Sequence, residues 1–280
     1  MVSCASSNKR LSQKIDLTPT TALRATATIA AYYPAAIMSS LMVTKWLYID
    51  TDVGDPWVLP IWSAVNDSIA AKKVDPITKE ESELGLHIST RLDLLPYVVS
   101  RINDGVAKIY EAISDFGDEY VSTEGHQGYA MPFRDKRDLV HILLADIDAL
   151  LFETNSVCEL MTAFFEKLYN HVGIPLTKKD EAGLRIKKII ESKGFDTKWF
   201  QDLDNHRNFF IHEGAPYLAI DVSTGRKEYD LLFMKENLKS FKDSSKFVRL
   251  SELNKIVQGF ISARHTLQQH LIELFQKAGS

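Results

Sequence analysis

Asp135-Lys-Arg-Asp-Leu-Val-His-Ile-Leu-Leu-Ala-Asp-Ile-Asp-Ala-Leu-Leu151 opens the stretch whose reading decides the fold. From about Asp135 to Val172, Leu139, Ile142, Leu143, Ile147, Leu150, Leu151, Val157, Cys158, Met161, Phe164, Phe165, Leu168 and Tyr169 recur every three or four positions. That spacing lines them along one face of a long α-helix. Gly173-Ile174-Pro175 stops it. Such a face needs other helices to cover it, so the segment predicts helices packed on helices.

Downstream, Lys178 to Ser192 carries Leu184, Ile186, Ile189 and Ile190 at helical spacing, and Gly194 reads as its C-cap. The next helix begins near Asp196, a suitable N-cap, and must end by Gly214-Ala215-Pro216. The period then changes. Residues 217–222 and 228–234 read as two strands around Ser223-Thr-Gly-Arg-Lys227, a β-hairpin with a glycine in its loop. A final long helix is expected from a cap at Ser251, with Leu253, Ile256, Phe260, Leu267, Leu271 and Phe275 on its apolar face.

Upstream, Leu92, Leu95, Val98, Ile102, Val106, Ile109 and Ile113 predict a helix over 88–116, started or kinked by Pro96. A short helix is expected from Pro60 to Ala71, with a charged loop over 72–85. Residues 117–134 hold Gly117, Gly125, Gly128 and Pro132 and read as a long loop. Residues 50–60 read as a turn-rich connection, 21–49 as an Ala-rich helical stretch kinked at Pro34, and 1–20 as a polar arm. The predicted class is mainly α, a helical bundle with one β-hairpin inserted near 217–234. A boundary near residue 134 divides an N-terminal helical region of unknown role (1–134) from a C-terminal bundle (135–280).

Composition narrows the function classes. The chain has 280 residues, a net charge of −4 and a pI near 6.1. A broad nucleic-acid surface usually brings a basic pI, so any RNA contact would be local. Cys4 and Cys158 form no disulfide framework and no metal cluster. Cys158 reads as a small core residue, and a reducing cytoplasm is the expected compartment. Ile29 to Ile49 has the length of a membrane span, but Pro34, Ser39, Ser40, Thr44 and Lys45 interrupt it, so a core helix is the better reading. No signal peptide is expected. The sequence lacks a Walker-type loop, a dinucleotide fingerprint and a His-Glu-x-x-His zinc motif.

The chemistry concentrates on one helix. Arg207 and His212 lie five residues apart, and Asn208 and His212 four apart, so the latter two share a face. Arg207 sits about 140° round from His212, so one helix alone does not focus both on one atom. A second copy could bring another Arg and His to the same place. Arg offers a fork of donors matched to phosphate oxygens and stabilises charge that grows in a transition state. His moves a proton near neutral pH, and Asn208 can hydrogen-bond the imidazole or the phosphate. Nearby, His206 could equally be a surface residue, and Glu213 could pair with His212. Asp146 interrupts an apolar stretch. It is either a satisfied core acid, or it faces the motif helix and orients His212 or pairs with Arg207.

The stretch Asp204-Asn-His-Arg-Asn-Phe-Phe-Ile-His-Glu-Gly-Ala-Pro-Tyr217 resembles the signature of the HEPN superfamily. That signature is an Arg, commonly followed by Asn or another polar residue, then a His after a short gap near a helix end. Arg207, Asn208 and His212 match it, and the resemblance covers about residues 135–280. It implies a four-helix bundle that dimerises with the two motifs facing each other. It further implies a metal-independent endoribonuclease that needs no cofactor and leaves a cyclic phosphate. Members serve as toxins, in phage defence or in RNA processing, and an antitoxin or other regulatory protein is an implied partner. Other members have lost activity and bind nucleotides or proteins. The hairpin ahead of the last helix departs from the minimal bundle.

Overall fold

The computed structural model describes residues 54–114, 137–176, 181–213, 217–221, 230–236 and 243–278. The expected arm, the 21–49 helix with its Ile29–Ile49 stretch, and the 117–134 loop lie outside them. The described elements are α1 (Leu59–Ala70), α2 (Lys79–Ser114), α3 (Arg137–His171), α4 (Ala182–Ser192), α5 (Lys198–Glu213), β1 (Tyr217–Asp221), β2 (Asp230–Met234), β3 (Phe247–Arg249) and α6 (Leu250–Lys277). The class is mainly α with a small antiparallel sheet. No helix among the described residues is long and apolar enough to cross a membrane.

A 3₁₀ turn over Pro56–Val58 leads into α1, and Asp55 Oδ1 accepts the Trp57 N–H at 2.9 Å to cap it. Pro60 stands at the start of α1, where a missing N–H costs nothing. The helix ends in a left-handed residue, Lys72, with φ +55°. The Lys72 N–H bonds Ile69 O and the Lys73 N–H bonds Ser68 O, both at 2.9 Å, closing a Schellman cap.

Helix α2 starts nine residues ahead of the expected Ile88. Thr78 and Glu81 form a capping box: the Glu81 carboxylate accepts the Thr78 N–H at 2.6 Å, and Thr78 Oγ1 accepts the Glu81 N–H at 3.2 Å. The charged stretch therefore opens the helix rather than forming a loop. Pro96 lies inside α2 and neither starts nor ends it. Two cross-links show that α3 runs antiparallel to α2. Arg91 Nη1 reaches both Glu153 oxygens at 2.7 Å, and Arg101 Nη2 reaches Asp146 Oδ1 at 2.5 Å.

The final helix begins at Leu250, and its cap is not Ser251. Glu252 reaches back to the Arg249 N–H at 2.9 Å, while Ser251 Oγ donates to Asp230 Oδ2 at 2.7 Å. The expected hairpin forms, with Tyr217 paired to Met234 and Asp221 to Asp230. A third strand joins it: β3 pairs antiparallel with β2, Phe233 opposite Val248. The sheet alternates. Leu231, Phe233 and Val248 enter the main core, while Leu232, Met234 and Phe247 form a second apolar cluster on the other face.

The main core draws on every helix, from Ile61, Leu92 and Ile147 to Ile190, Phe210 and Phe275. The described residues on the two sides of residue 134 both contribute to this core. Polar bonds reinforce the union. Trp57 Nε1 donates to Arg264 O at 2.8 Å, Gln268 Nε2 to Trp57 O at 2.6 Å, and Ser68 Oγ to Phe275 O at 2.8 Å. Arg264 Nη2 also bridges both Asp55 oxygens, at 2.6 and 2.7 Å.

Candidate functional site

Helix α5 carries the motif. Asp196 Oδ1 accepts the Lys198 N–H at 2.9 Å and starts it. Trp199, Leu203, Phe209 and Phe210 are all buried and anchor one side of the helix. Trp199 stacks on Phe200 with centroids 3.8 Å apart and meets Phe260 of α6 edge-on. Phe210 packs on Phe233 of β2 at 5.5 Å. These aromatic contacts fix the helix's rotation about its own axis. On its remaining surface Arg207 is half-buried and Asn208 is exposed. Arg207 forms no ion pair with another described residue. The α5 backbone continues through Ile211, His212 and Glu213, whose side chains lie outside the described residues.

The supporting residues separate. Asp146 is 5% exposed and pairs with Arg101 of α2, not with Arg207. Its other oxygen, Oδ2, is buried without a hydrogen bond. The core-acid reading therefore fits, but only half of the carboxylate is satisfied. Removing Arg101 would leave a buried carboxylate unpaired, which costs about 3–5 kcal/mol at a fully buried site. The Arg101 side chain is 60% exposed, so water replaces part of its effect. We expect Arg101→Met to lower stability by about 2 kcal/mol, measured by urea unfolding. Adding Asp146→Leu should restore most of that loss. A double variant less stable than Arg101→Met would contradict this account.

His206 is half-buried rather than a surface residue. Burial holds its imidazole below the ordinary value, while the Glu252 and Asp202 carboxylates pull the other way. His270 is also lowered, chiefly by burial, with Glu273 opposing. Tyr169 Oη lies 2.6 Å from His270 Nε2, within hydrogen-bonding distance. Lowered histidines bind fewer protons folded than unfolded. Their contribution is present above the unfolded value of about 6.5 and is lost as pH falls below it. Stability should therefore decline as pH falls below about 6.5. His206→Gln with His270→Gln should flatten that decline in urea titrations; an unchanged slope would show that these rings are not responsible.

A pair that the sequence did not announce joins α3 to α2. His171 Nδ1 lies 2.9 Å from Glu81 Oε1, and its Nε2 lies 2.9 Å from Asp75 O. Both partners are acceptors, so the ring ties the end of α3 to Glu81 and to the segment before α2. The available signal was position: His171 ends α3, beside the last-turn carbonyls that lack partners within the helix. Cys158 lines a small apolar cavity with Met161, Ile186, Trp199, Phe260 and Leu267. Burial, with Asp204 and Glu159 adding to it, pushes its thiol up to about 12, so it is a packing residue and no nucleophile. Among the described residues no group of three or more His, Cys, Asp or Glu could hold a metal ion.

No family model, curated protein or solved structure matches this chain. The functional reading therefore stands on the motif, its helix and the packing just described.

Proposed function

We propose that this chain is a metal-independent endoribonuclease that works as a homodimer. One observation carries the reading: aromatic anchors hold α5 in the core while Arg207 and Asn208 remain at the surface. Arg207 forms no ion pair with another described residue, and both positions can meet a substrate or a second copy. Arg207 would bind the scissile phosphate and stabilise its added charge. His212 would exchange a proton with the attacking 2′-hydroxyl or the leaving 5′-oxygen. The 2′-oxygen forms a bond to phosphorus as the bond to the 5′-oxygen breaks, which yields a cyclic phosphate. Two α5 helices brought together would supply what the 140° offset denies to one (about 100° per residue). Asn208 would hydrogen-bond the imidazole or the phosphate. A role in a toxin pair or in phage defence, in the cytoplasm and with an antitoxin or regulatory partner, belongs to the same proposal.

The test is cleavage of single-stranded RNA by the purified chain in EDTA, with product ends analysed for cyclic phosphate. RNA left intact at high enzyme concentration would discard catalysis. The net charge of −4 favours a second reading in that event. In it the same surface binds a nucleotide or a protein and cuts nothing.

A further inference from the structure

The sheet order is β1-β2-β3, and among the described residues β1 is paired on one side only. An antiparallel edge strand points alternate N–H and C=O groups away from its neighbour. Such an edge is a template for another strand, and proteins usually guard it with lysine, proline or a bulge. Tyr217-Leu-Ala-Ile-Asp221 contains neither residue and pairs with β2 in unbroken register. Tyr217 is 44% exposed. Leu218 and Ile220 pack on the main core, while Ala219 packs on the second cluster.

We infer that β1 is a dimerisation edge, pairing antiparallel with β1 of a second copy about a two-fold axis at Ala219. The inference rests on the two-copy site proposed above and specifies how the copies meet. The strand is self-complementary in this register. Tyr217 stands opposite Asp221, Leu218 opposite Ile220, and Ala219 opposite its own copy. No like charges face each other, and the smallest side chain falls on the axis. This is what a closed two-fold interface requires of one surface patch. The two three-stranded sheets become one sheet of six strands, with main-chain hydrogen bonds as the glue. Connectivity ties this edge to the motif. Only residues 214–216 separate α5 from β1, so a strand pair holds two motif helices at a fixed spacing.

Light scattering across protein concentrations tests the arrangement. The wild-type chain should show a dimer. Ala219→Lys and Ala219→Glu should each shift it to monomer, because like charges then face across the axis. Mixing the two variants should recover the dimer, which a misfolded protein could not do. In a Cys4→Ser, Cys158→Ala background, Ala219→Cys should form an intermolecular disulfide, since directly opposed Cα atoms lie about 5 Å apart. Tyr217→Cys should not, its copy lying more than about 13 Å away. A wild-type chain that stays monomeric, or charge variants that stay dimeric, would overturn the inference. Its failure is separable from that of the nuclease reading. A dimer that cross-links at position 219 but cuts no RNA would keep this interface and discard catalysis. Arg207→Ala should lose cleavage yet keep the dimer.

Discussion

Arg207→Ala is expected to slow RNA cleavage by about 10²–10³-fold, the usual cost of removing one preorganised charge donor from a transition state. His212→Ala should cost a comparable or larger factor, about 10²–10⁴-fold for a lost proton-transfer group. Arg207→Lys should recover little, because an ammonium lacks the planar fork that grips two phosphate oxygens. The urea midpoint should hardly move in Arg207→Ala, since the side chain is half-exposed and forms no ion pair with another described residue. Single-turnover cleavage in EDTA, with unfolding curves on the same preparations, measures both quantities. An Arg207→Ala enzyme as fast as wild type would remove this residue from the mechanism. A fall in rate matched by a fall in stability would mean only that the helix had been damaged.

The second large effect lies in the core. Gly259 stands inside α6, where replacing glycine by alanine normally gains about 1 kcal/mol. Here the sign should reverse. A Cβ at position 259 would lie 2.4 Å from Trp199 Cγ and Cδ1 and 2.9 Å from its Cβ. Trp199 is 5% exposed and held between Phe200 and Phe260, so the ring has nowhere to swing. Relief requires α5 and α6 to move apart, and overpacking of this kind costs about 1–3 kcal/mol or more. We expect Gly259→Ala to lower stability by about 2 kcal/mol net. For a domain of this size that is a Tm drop of about 4–8 °C. Because Trp199 belongs to the motif helix, cleavage should fall as well. A calorimetric Tm equal to or above that of wild type would refute this packing.

The sequence made the long helices legible because α3 and α6 carry their apolar residues at a sustained three-and-four spacing, interrupted in α3 only by the buried Thr154. The start of α2 was hidden for the opposite reason. Thr78-Lys-Glu-Glu81 has no apolar rhythm, and its meaning lies in a capping box that only the exchanged hydrogen bonds reveal. Strand β3 is three residues long and exists because β2 offers an edge. The partner of Asp146 comes from another helix, and nothing local to Asp146 points to Arg101. Gly259 likewise reads as a liability until Trp199 is placed against it. At the motif, residue types, spacing and the family resemblance made Arg207 and Asn208 candidates. The fold added which side of α5 is spent on the core, information that resides in Phe233 and Phe260 rather than in the motif.

The last helix lends Leu253, Ile256, Phe260, Leu267, Leu271 and Phe275 to the core, and its residues 264 and 268 bond the segment around Trp57. During synthesis these side chains leave the ribosome after those of α1 and α5. Until they do, α1 and α5 lack one of the surfaces they close against, and contacts so distant along the chain form slowly. The core is therefore unfinished until α6 has been made.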